Sequence, residues 1–269
     1  MKDILQDIIA NKRLEVARQK EAVKLQTLLG LGGERLERPT HSLRAALEAS
    51  PSGIIAEFKR KSPSKGWLFP DASVTEVVPA YEKSGASACS VLTDTSFFGG
   101  SLRDLCRARN LVNLPLLRKD FIIDEYQVYQ ARVMGADAIL LIAACLTVDK
   151  CLVLAELAHT LNLEVLLEIH SEAELEYLNP FIDMLGVNNR NLGTFHTDVE
   201  NSFRLAEKMR ALVDTASGPT LISESGISDT GTVCRLHEAG FRGFLIGETF
   251  MKTGRPGETL SDFLGELSC

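Results

Sequence analysis

The chain has 269 residues, of which 45% are hydrophobic and 24% charged, and its formal net charge is −7 at pH 7. These are the proportions of a globular protein, and they exclude a largely disordered chain. The acidic charge disfavours nucleic-acid binding, which depends on basic residues that neutralise phosphates. No apolar run reaches the length of about 18 residues that a membrane span needs, so we expect no membrane association.

The six cysteines are scattered along the chain. They form neither a C-x-x-C pair nor a cysteine–histidine cluster with zinc spacing. The N-terminus lacks the apolar segment of a signal peptide. Buried free thiols are typical of a reducing compartment, so these features predict a cytoplasmic protein with reduced cysteines. The six residues are Cys89, Cys106, Cys145, Cys151, Cys234 and Cys269.

The first 50 residues stand outside the pattern of the rest of the chain. Apolar residues at helical spacing predict an amphipathic helix over residues 1–28, and a glycine-rich break follows at residues 29–33. Ser42 is placed to cap a second, short helix that ends before Pro51. We therefore assign residues 1–50 to an N-terminal helical extension and residues 51–269 to a single barrel.

From Gly53 onward, short apolar runs alternate with helical patterns. The runs are almost continuously apolar, as expected of parallel strands buried on both faces. Capping-box patterns predict helix starts at Ser73, Asp124 and Ser171, and glycine follows several of the helices. The eight predicted strands are Ile54–Phe58, Ala88–Leu92, Leu114–Leu117, Ala138–Ile142, Val165–Ile169, Met184–Val187, Thr220–Ser223 and Gly243–Ile246.

Eight strand–helix units predict an α/β fold of the (β/α)8 TIM-barrel type, whose typical length is about 250 residues. The alternative is an open, doubly wound sheet, which needs fewer strands and often has a glycine-rich first turn. Neither G-x-G-x-x-G nor G-x-x-x-x-G-K-[ST] occurs in the sequence. The pattern therefore favours the barrel.

Charged residues follow several predicted strands, at the end where such barrels carry their active sites. Glu57 and Lys59 are two residues apart at the end of the first strand, so both face the same side. Lys119 and Glu168 end the third and fifth strands. A carboxylate in an apolar setting can act as acid or base, whereas a structural ion pair or a surface position is the alternative for each residue.

Polar residues and glycines follow the last three strands. Asn188 and Arg190 come after the sixth, where Arg190 could hold a carboxylate through two hydrogen bonds; an ordinary asparagine-rich turn is the alternative. Gly226 and Gly247 follow the seventh and eighth strands and let backbone N–H groups approach a phosphate, although simple turn glycines look the same. Together these residues favour acid–base chemistry on a sugar phosphate.

Other chemistries find little support. H-E-x-x-H and G-x-S-x-G are absent from the sequence, which disfavours metal-dependent hydrolysis and a serine nucleophile. Four histidines have no partners at metal-ligand spacing, and we expect them to be non-catalytic. They are His159, His170, His196 and His237.

Six motifs follow one another along the chain: EFKRKSPSKG (57–66), LRKDFI (117–122), LLEIH (166–170), GVNNRNL (186–192), SESGI (223–227) and LIGETFM (245–251). Together they resemble indole-3-glycerol phosphate synthase. The resemblance implies a lyase of tryptophan biosynthesis that needs no cofactor and no metal. Its reaction is ring closure, decarboxylation and dehydration of 1-(2-carboxyphenylamino)-1-deoxyribulose 5-phosphate. It also implies that the N-terminal helix packs over the barrel near the site.

The resemblance implies roles for single residues. Lys119 resembles the general acid that promotes ring closure at the ketone, and Lys59 the group that holds the anthranilate carboxylate and assists dehydration. Glu168 resembles the general base, and Glu57 a stabiliser of developing positive charge. Which lysine serves which step stays open. The residues in the substrate- and phosphate-binding motifs are Ser62, Phe121, Glu224, Ser225, Gly226, Gly247 and Glu248.

Two further residues, Asn188 and Arg190, resemble the groups that organise the polar atoms of the substrate. Glu248 lies in a phosphate motif, but its carboxylate cannot bind phosphate, so its backbone N–H would make the contact. Opposite charges placed this closely should keep the lysines protonated and the glutamates ionised, with coupled titrations.

Two alternatives to this function remain open. One is another phosphate-binding barrel, such as a ribose-phosphate isomerase of the histidine or tryptophan pathways. The other is a catalytically inactive protein that binds a phosphorylated ligand. In each case we expect a small sugar phosphate as the partner, neither nucleic acid nor membrane, and a monomeric chain.

Overall fold

The computed structural model describes residues 4–191, 193, 196–213 and 218–268, with the backbone alone for residues 210–213. Within these ranges, four helices precede the first strand: α1 Ile4–Ala22, α2 Leu25–Gly32, α3 Glu34–Glu37 and α4 Leu43–Ala49. The Ser42 side chain accepts a hydrogen bond from Ala45 N, which confirms the predicted cap of α4.

The prediction of one helix over residues 1–28 is wrong at its C-terminal end. The chain is extended at Lys24, and α2 then continues through Leu29 and Gly30 to Gly32. Gly32 packs against Val133, where a β-carbon would lie 3.0 Å from the valine side chain. This glycine therefore serves close helix packing, and the helix ends only at Gly33, whose φ of 43° is left-handed.

Eight parallel strands in the described residues form a closed barrel, in which strands consecutive in the chain are neighbours and the last pairs with the first, which confirms the predicted fold. The third strand begins two residues later than predicted because Pro115 has no N–H to donate. The strands are β1 Ile54–Phe58, β2 Ala88–Leu92, β3 Leu116–Lys119, β4 Ala138–Ile142, β5 Glu164–Ile169, β6 Met184–Asn188, β7 Thr220–Glu224 and β8 Gly243–Ile246.

Helices lie on the outside of the barrel, between the strands and after the last of them. They are α5 Val74–Lys83, α6 Leu102–Arg109, α7 Glu125–Met134, α8 Val148–Thr160, α9 Glu200–Val213, α10 Thr230–Glu238, α11 Glu248–Met251 and α12 Pro256–Glu266. A 3-10 helix, Glu172–Tyr177, follows β5 in place of an α-helix. The predicted capping box at Ser171 is present, whereas the hydroxyl of Ser73 pairs with Thr75 and caps nothing.

Apolar side chains form one layer between the strands and the helices and a second cluster inside the barrel. The inner cluster includes Leu5 and Ile8, so α1 packs over the end of the barrel where the strands have their C-termini.

No described helix is long and apolar enough to cross a membrane. Four of the described cysteines are free thiols, as predicted, but Cys234 is disulfide-bonded, so the prediction of six reduced cysteines is wrong there; Cys269 lies outside the described residues. The free ones are Cys89, Cys106, Cys145 and Cys151.

Candidate active site

A cavity of about 340 Å³ opens at the C-terminal ends of the strands. Ile4, Leu5 and Ile8 of α1 form part of its wall, and charged, polar and apolar side chains from the strand ends and the turns after them form the rest. All thirteen residues predicted for the site line this cavity. The closed barrel thus joins residues that are almost 200 positions apart in the sequence.

Glu57 and Lys59 form an ion pair on the cavity wall, with 2.5 Å between Oε1 and Nζ. Burial by itself would raise the pKa of Glu57, but the charges of Lys59 and Lys119 hold that pKa below its usual value. Gly247 lies against this carboxylate, and a β-carbon there would overlap it. The glycine after the eighth strand therefore makes room for Glu57.

Lys119 lies between two buried carboxylates. Its Nζ is 3.1 Å from Glu168 Oε2 and 2.9 Å from Glu224 Oε2. Burial opposes its charge, but Glu168, Glu224 and Glu57 together raise the pKa of Lys119 above its usual value. The lysine is therefore protonated at neutral pH, as the sequence analysis predicted.

The two carboxylates beside Lys119 titrate differently. Burial favours the neutral form of Glu168, but Lys119 and His170 hold its pKa below the usual value. Burial raises the pKa of Glu224 to about 7, since the attraction of Lys119 is offset by repulsion from Glu168. The expectation of ionised glutamates therefore agrees with the lowered pKa values of Glu57 and Glu168, whereas Glu224, which it did not include, is partly protonated near pH 7. One ammonium cannot hold two buried carboxylates fully charged.

Arg190 points across the mouth of the cavity. Its Nη1 donates to Ser64 Oγ at 2.9 Å and its Nη2 to Glu248 Oε2 at 3.4 Å. The side-chain Oδ1 of Asn188 accepts a hydrogen bond from the backbone N–H of Arg190 at 3.0 Å. Lys65 Nζ lies 3.9 Å from the other oxygen of Glu248. These contacts leave Glu248 paired with cations at the cavity rim.

The predicted phosphate-binding turns all line the cavity. Ser62 is buried, and its hydroxyl accepts from Lys65 N at 3.3 Å. Ser225 and Gly226 both have left-handed backbone, with φ of 68° and 81°. Gly247 and Glu248 also belong to the cavity wall. Successive turn N–H groups at such strand ends form concavities that suit an anion.

Phe121 adds apolar surface to the cavity wall. It belongs to the inner cluster with Leu5 and Ile8, and its ring centroid lies 6.0 Å from that of Phe98. An aromatic ligand would find flat apolar surface here, because buried rings favour tilted and offset contacts. The cavity thus combines an apolar side with a strongly charged one.

Two residues next to this site, His170 and the fully buried Lys12, were not assigned to it by the sequence analysis. His170 Nε2 lies 3.6 Å from Glu168 Oε1, and carboxylate neighbours raise the pKa of His170 against the effect of its burial. Lys12 of α1 reaches Asp94 at 2.9 Å and Asp120 at 2.8 Å. A lysine within a charged helix gives no sequence signal for burial, since its partners lie about 80 and 110 residues away.

Fold and site define a (β/α)8-barrel enzyme with acid–base side chains at the C-terminal ends of its strands, beside glycine-containing turns. The family model described as indole-3-glycerol phosphate synthase matches residues 5–262. The chain belongs to this family, whose members are carboxy-lyases of tryptophan biosynthesis.

Curated relatives with that name cover nearly all of the chain. The protein of Bacteroides thetaiotaomicron is 61% identical over 264 residues, which are 98% of this chain and 98% of the relative. That of Neisseria meningitidis serogroup B is 45% identical over 94% of this chain and 95% of the relative. A solved mutant tryptophan synthase alpha-subunit from Pyrococcus furiosus covers 80% of this chain and 98% of its own, with TM-score 0.62 and 12% identity, and it shows the fold alone.

Proposed function

We propose that this chain converts 1-(2-carboxyphenylamino)-1-deoxyribulose 5-phosphate to indole-3-glycerol phosphate, carbon dioxide and water. The observation that carries the proposal is the position of Lys119, protonated between Glu168 and Glu224 and facing a cavity with one apolar wall. The reaction needs an acid, a base and a site for an aromatic ring, and this cavity supports all three.

Ring closure begins when the aromatic carbon that bears the carboxylate attacks the ketone. The carbonyl oxygen gains negative charge and needs a proton, for which Lys119 is our candidate donor. The anilino nitrogen becomes positively charged at the same time. The carboxylate of Glu57, whose pKa is held below its usual value, is our candidate for stabilising that charge.

Decarboxylation follows, because loss of carbon dioxide restores the aromatic ring. We assign the placement of the substrate carboxylate to Lys59 and Arg190, with Asn188 holding the backbone of Arg190. Arg190 suits this role because its planar guanidinium can bind a carboxylate through two hydrogen bonds. In the free protein it is satisfied by Ser64 and Glu248, which a substrate carboxylate would replace.

Dehydration removes the hydroxyl group that ring closure formed. The hydroxyl needs a proton to leave as water, and the ring then loses a proton from carbon to become indole. We assign the base to Glu168, which is ionised, and a proton-carrying role to Glu224, whose pKa lies at about 7. Lys59 or Lys119 supplies the acid.

The phosphate end of the substrate is our assignment for the turns around Ser62, Ser225–Gly226 and Gly247–Glu248. Backbone N–H groups suit this task because they donate hydrogen bonds to an anion without a charged side chain. Glu248 would contribute through its N–H, while its side chain stays with Lys65. Phe121 would lie against the aromatic ring.

The direct experiment is conversion of the synthetic substrate by purified protein, followed by indole fluorescence without added metal. Formation of indole-3-glycerol phosphate supports the proposal. Folded protein that binds the substrate without product would instead indicate the inactive binder, and sugar-phosphate isomerisation would indicate the other barrel enzymes. We further propose that the chain works in the cytoplasm as a monomer, without cofactor or nucleic acid. Size-exclusion chromatography of the purified protein tests the monomeric state.

A further inference from the structure

The turn after the seventh strand holds two successive residues in left-handed conformation, Ser225 and Gly226. Glycine adopts this backbone freely, but serine does so only where its surroundings enforce it. A β-carbon at Gly226 would also lie within 3 Å of the methyl groups of Thr197 and Val199. The turn is therefore strained at Ser225 and closely packed at Gly226, so other residues must hold it in this conformation.

Asn189 makes the contacts that fix this turn. Its side chain is buried, and Nδ2 donates to the Ser225 carbonyl at 3.1 Å and to Ser223 Oγ at 3.1 Å. Its backbone N–H donates to the Glu224 carbonyl at 2.9 Å. One residue at the end of β6 thus binds three consecutive residues at the end of β7.

The other side of the Asn189 amide is also fully occupied. Its Oδ1 accepts from Ser202 N at 3.0 Å and from Ser202 Oγ at 2.8 Å, and both serine hydroxyls in this network are buried. An amide has two donor and two acceptor positions, and here all four are used. Since Ser202 lies in the first turn of α9, the network fixes the orientation of Asn189 from a separate element.

We propose that Asn189 is a positioning residue for the anion-binding turn at Ser225–Gly226, holding its N–H groups toward the phosphate end of the ligand. For the identity of the substrate, this inference rests on the proposed function. The binding of an anion by the turn does not depend on that function. Asn189 lies between Asn188 and Arg190, whose side chains line the cavity, and its own side chain points away from it.

Asn189→Asp tests this role, because aspartate keeps the shape and the acceptor for Ser202 but cannot donate to the Ser225 carbonyl. We expect binding of inorganic phosphate, followed by calorimetry, to weaken about tenfold, and KM to rise by a similar factor while kcat stays within about twofold. Inhibition by anthranilate, which has a carboxylate and no phosphate, should be unchanged.

The matched control is Asn179→Asp. Asn179 donates to the Tyr177 carbonyl and accepts from Phe181 N, both before the sixth strand begins. It should leave phosphate binding and KM unchanged. If Asn189→Asp fails to fold, Ser202→Ala removes one support of the same amide and should weaken phosphate binding less, in the same direction.

A double variant tests the mechanism. Because glycine accepts the left-handed backbone without strain, Asn189→Asp should weaken phosphate binding less in a Ser225→Gly background than in the wild type. Equal loss in both backgrounds would overturn the inference, as would a fall in kcat with unchanged phosphate binding. If the wild type binds phosphate in this Asn189-dependent way but makes no indole product, the proposed function fails and the inference stands.

Discussion

Lys119 Nζ and Glu224 Oε2 lie 2.9 Å apart in a site where the glutamate side chain is 1% exposed. Glu168 shares the same ammonium from the other side. One cation between two buried carboxylates cannot keep both fully ionised, so the pair separates into one charged and one partly protonated carboxylate. An acid and a base are thereby available at neutral pH within the reach of one ligand.

Replacing Lys119 tests the acid. We expect Lys119→Met to lower turnover by at least about 100-fold, since it removes the proton donor at the ketone. Circular dichroism should show a folded protein. The control is Lys83→Met, at an exposed site near the end of α5, which should retain wild-type turnover. Comparable rates for wild type and Lys119→Met would exclude Lys119 as the acid.

Glu224→Gln tests the raised pKa. A carboxyl whose pKa rises from 4.5 in the unfolded chain to about 7 in the folded protein binds its proton more tightly when folded. The wild-type free energy of unfolding should therefore fall, relative to the variant, as the pH rises from 4.5 to about 7. Urea unfolding across this range measures the difference.

The same variant should lose the titration near pH 7 from the pH profile of kcat/KM. Glu156→Gln, on the exposed side of α8, is the control and should preserve both the stability profile and the activity profile. A wild-type free energy of unfolding that does not fall relative to Glu224→Gln over this pH range would contradict the raised pKa of Glu224.

Lys12 tests the attachment of α1 to the barrel. Lys12→Met leaves Asp94 and Asp120 buried without their shared cation, which should lower the free energy of unfolding by about 3–5 kcal/mol. The pKa of Asp120 is held below its usual value, so its contribution is present above about pH 4 and is lost as the pH falls further. The wild-type advantage should therefore narrow in acid.

The control for Lys12 is Lys20→Met on the same helix. Lys20 pairs with Asp124 at 2.6 Å, but its side chain is 45% exposed. Removal of an exposed pair should cost no more than about 1 kcal/mol. Equal losses in the two variants by urea unfolding would show that burial of Lys12 adds nothing to stability.

Gly247 tests the space around Glu57. Gly247→Ala places a methyl group where the Glu57 carboxylate lies, so the carboxylate must move and its pair with Lys59 must change. We expect kcat to fall at least about tenfold. Even a small displacement of a charged group disturbs its position relative to the reacting atoms. The control is Gly265→Ala in α12, where a β-carbon would meet open space, and it should leave kcat unchanged.

Much of the fold could be predicted because the relevant signals are local. Buried parallel strands are continuous apolar runs, so β1, β2, β4 and β8 begin and end where the pattern predicts. The failures are also local in cause. Pro115 removed an N–H from the predicted third strand, and Gly32 serves helix packing, although a glycine in sequence predicts a break.

The sequence by itself determined the barrel and the strand ends that carry charge, because strand periodicity and the alternation of elements depend on near neighbours along the chain. The tertiary structure alone decided which charges meet. Lys119 and Glu224 are more than 100 residues apart, and only closure of the barrel places them at one ion-pair distance. Protonation depends on burial and on neighbouring charge, which are properties of the folded site. For the same reason the pKa of Glu224, the buried Lys12 and the amide of Asn189 gave no signal in the sequence.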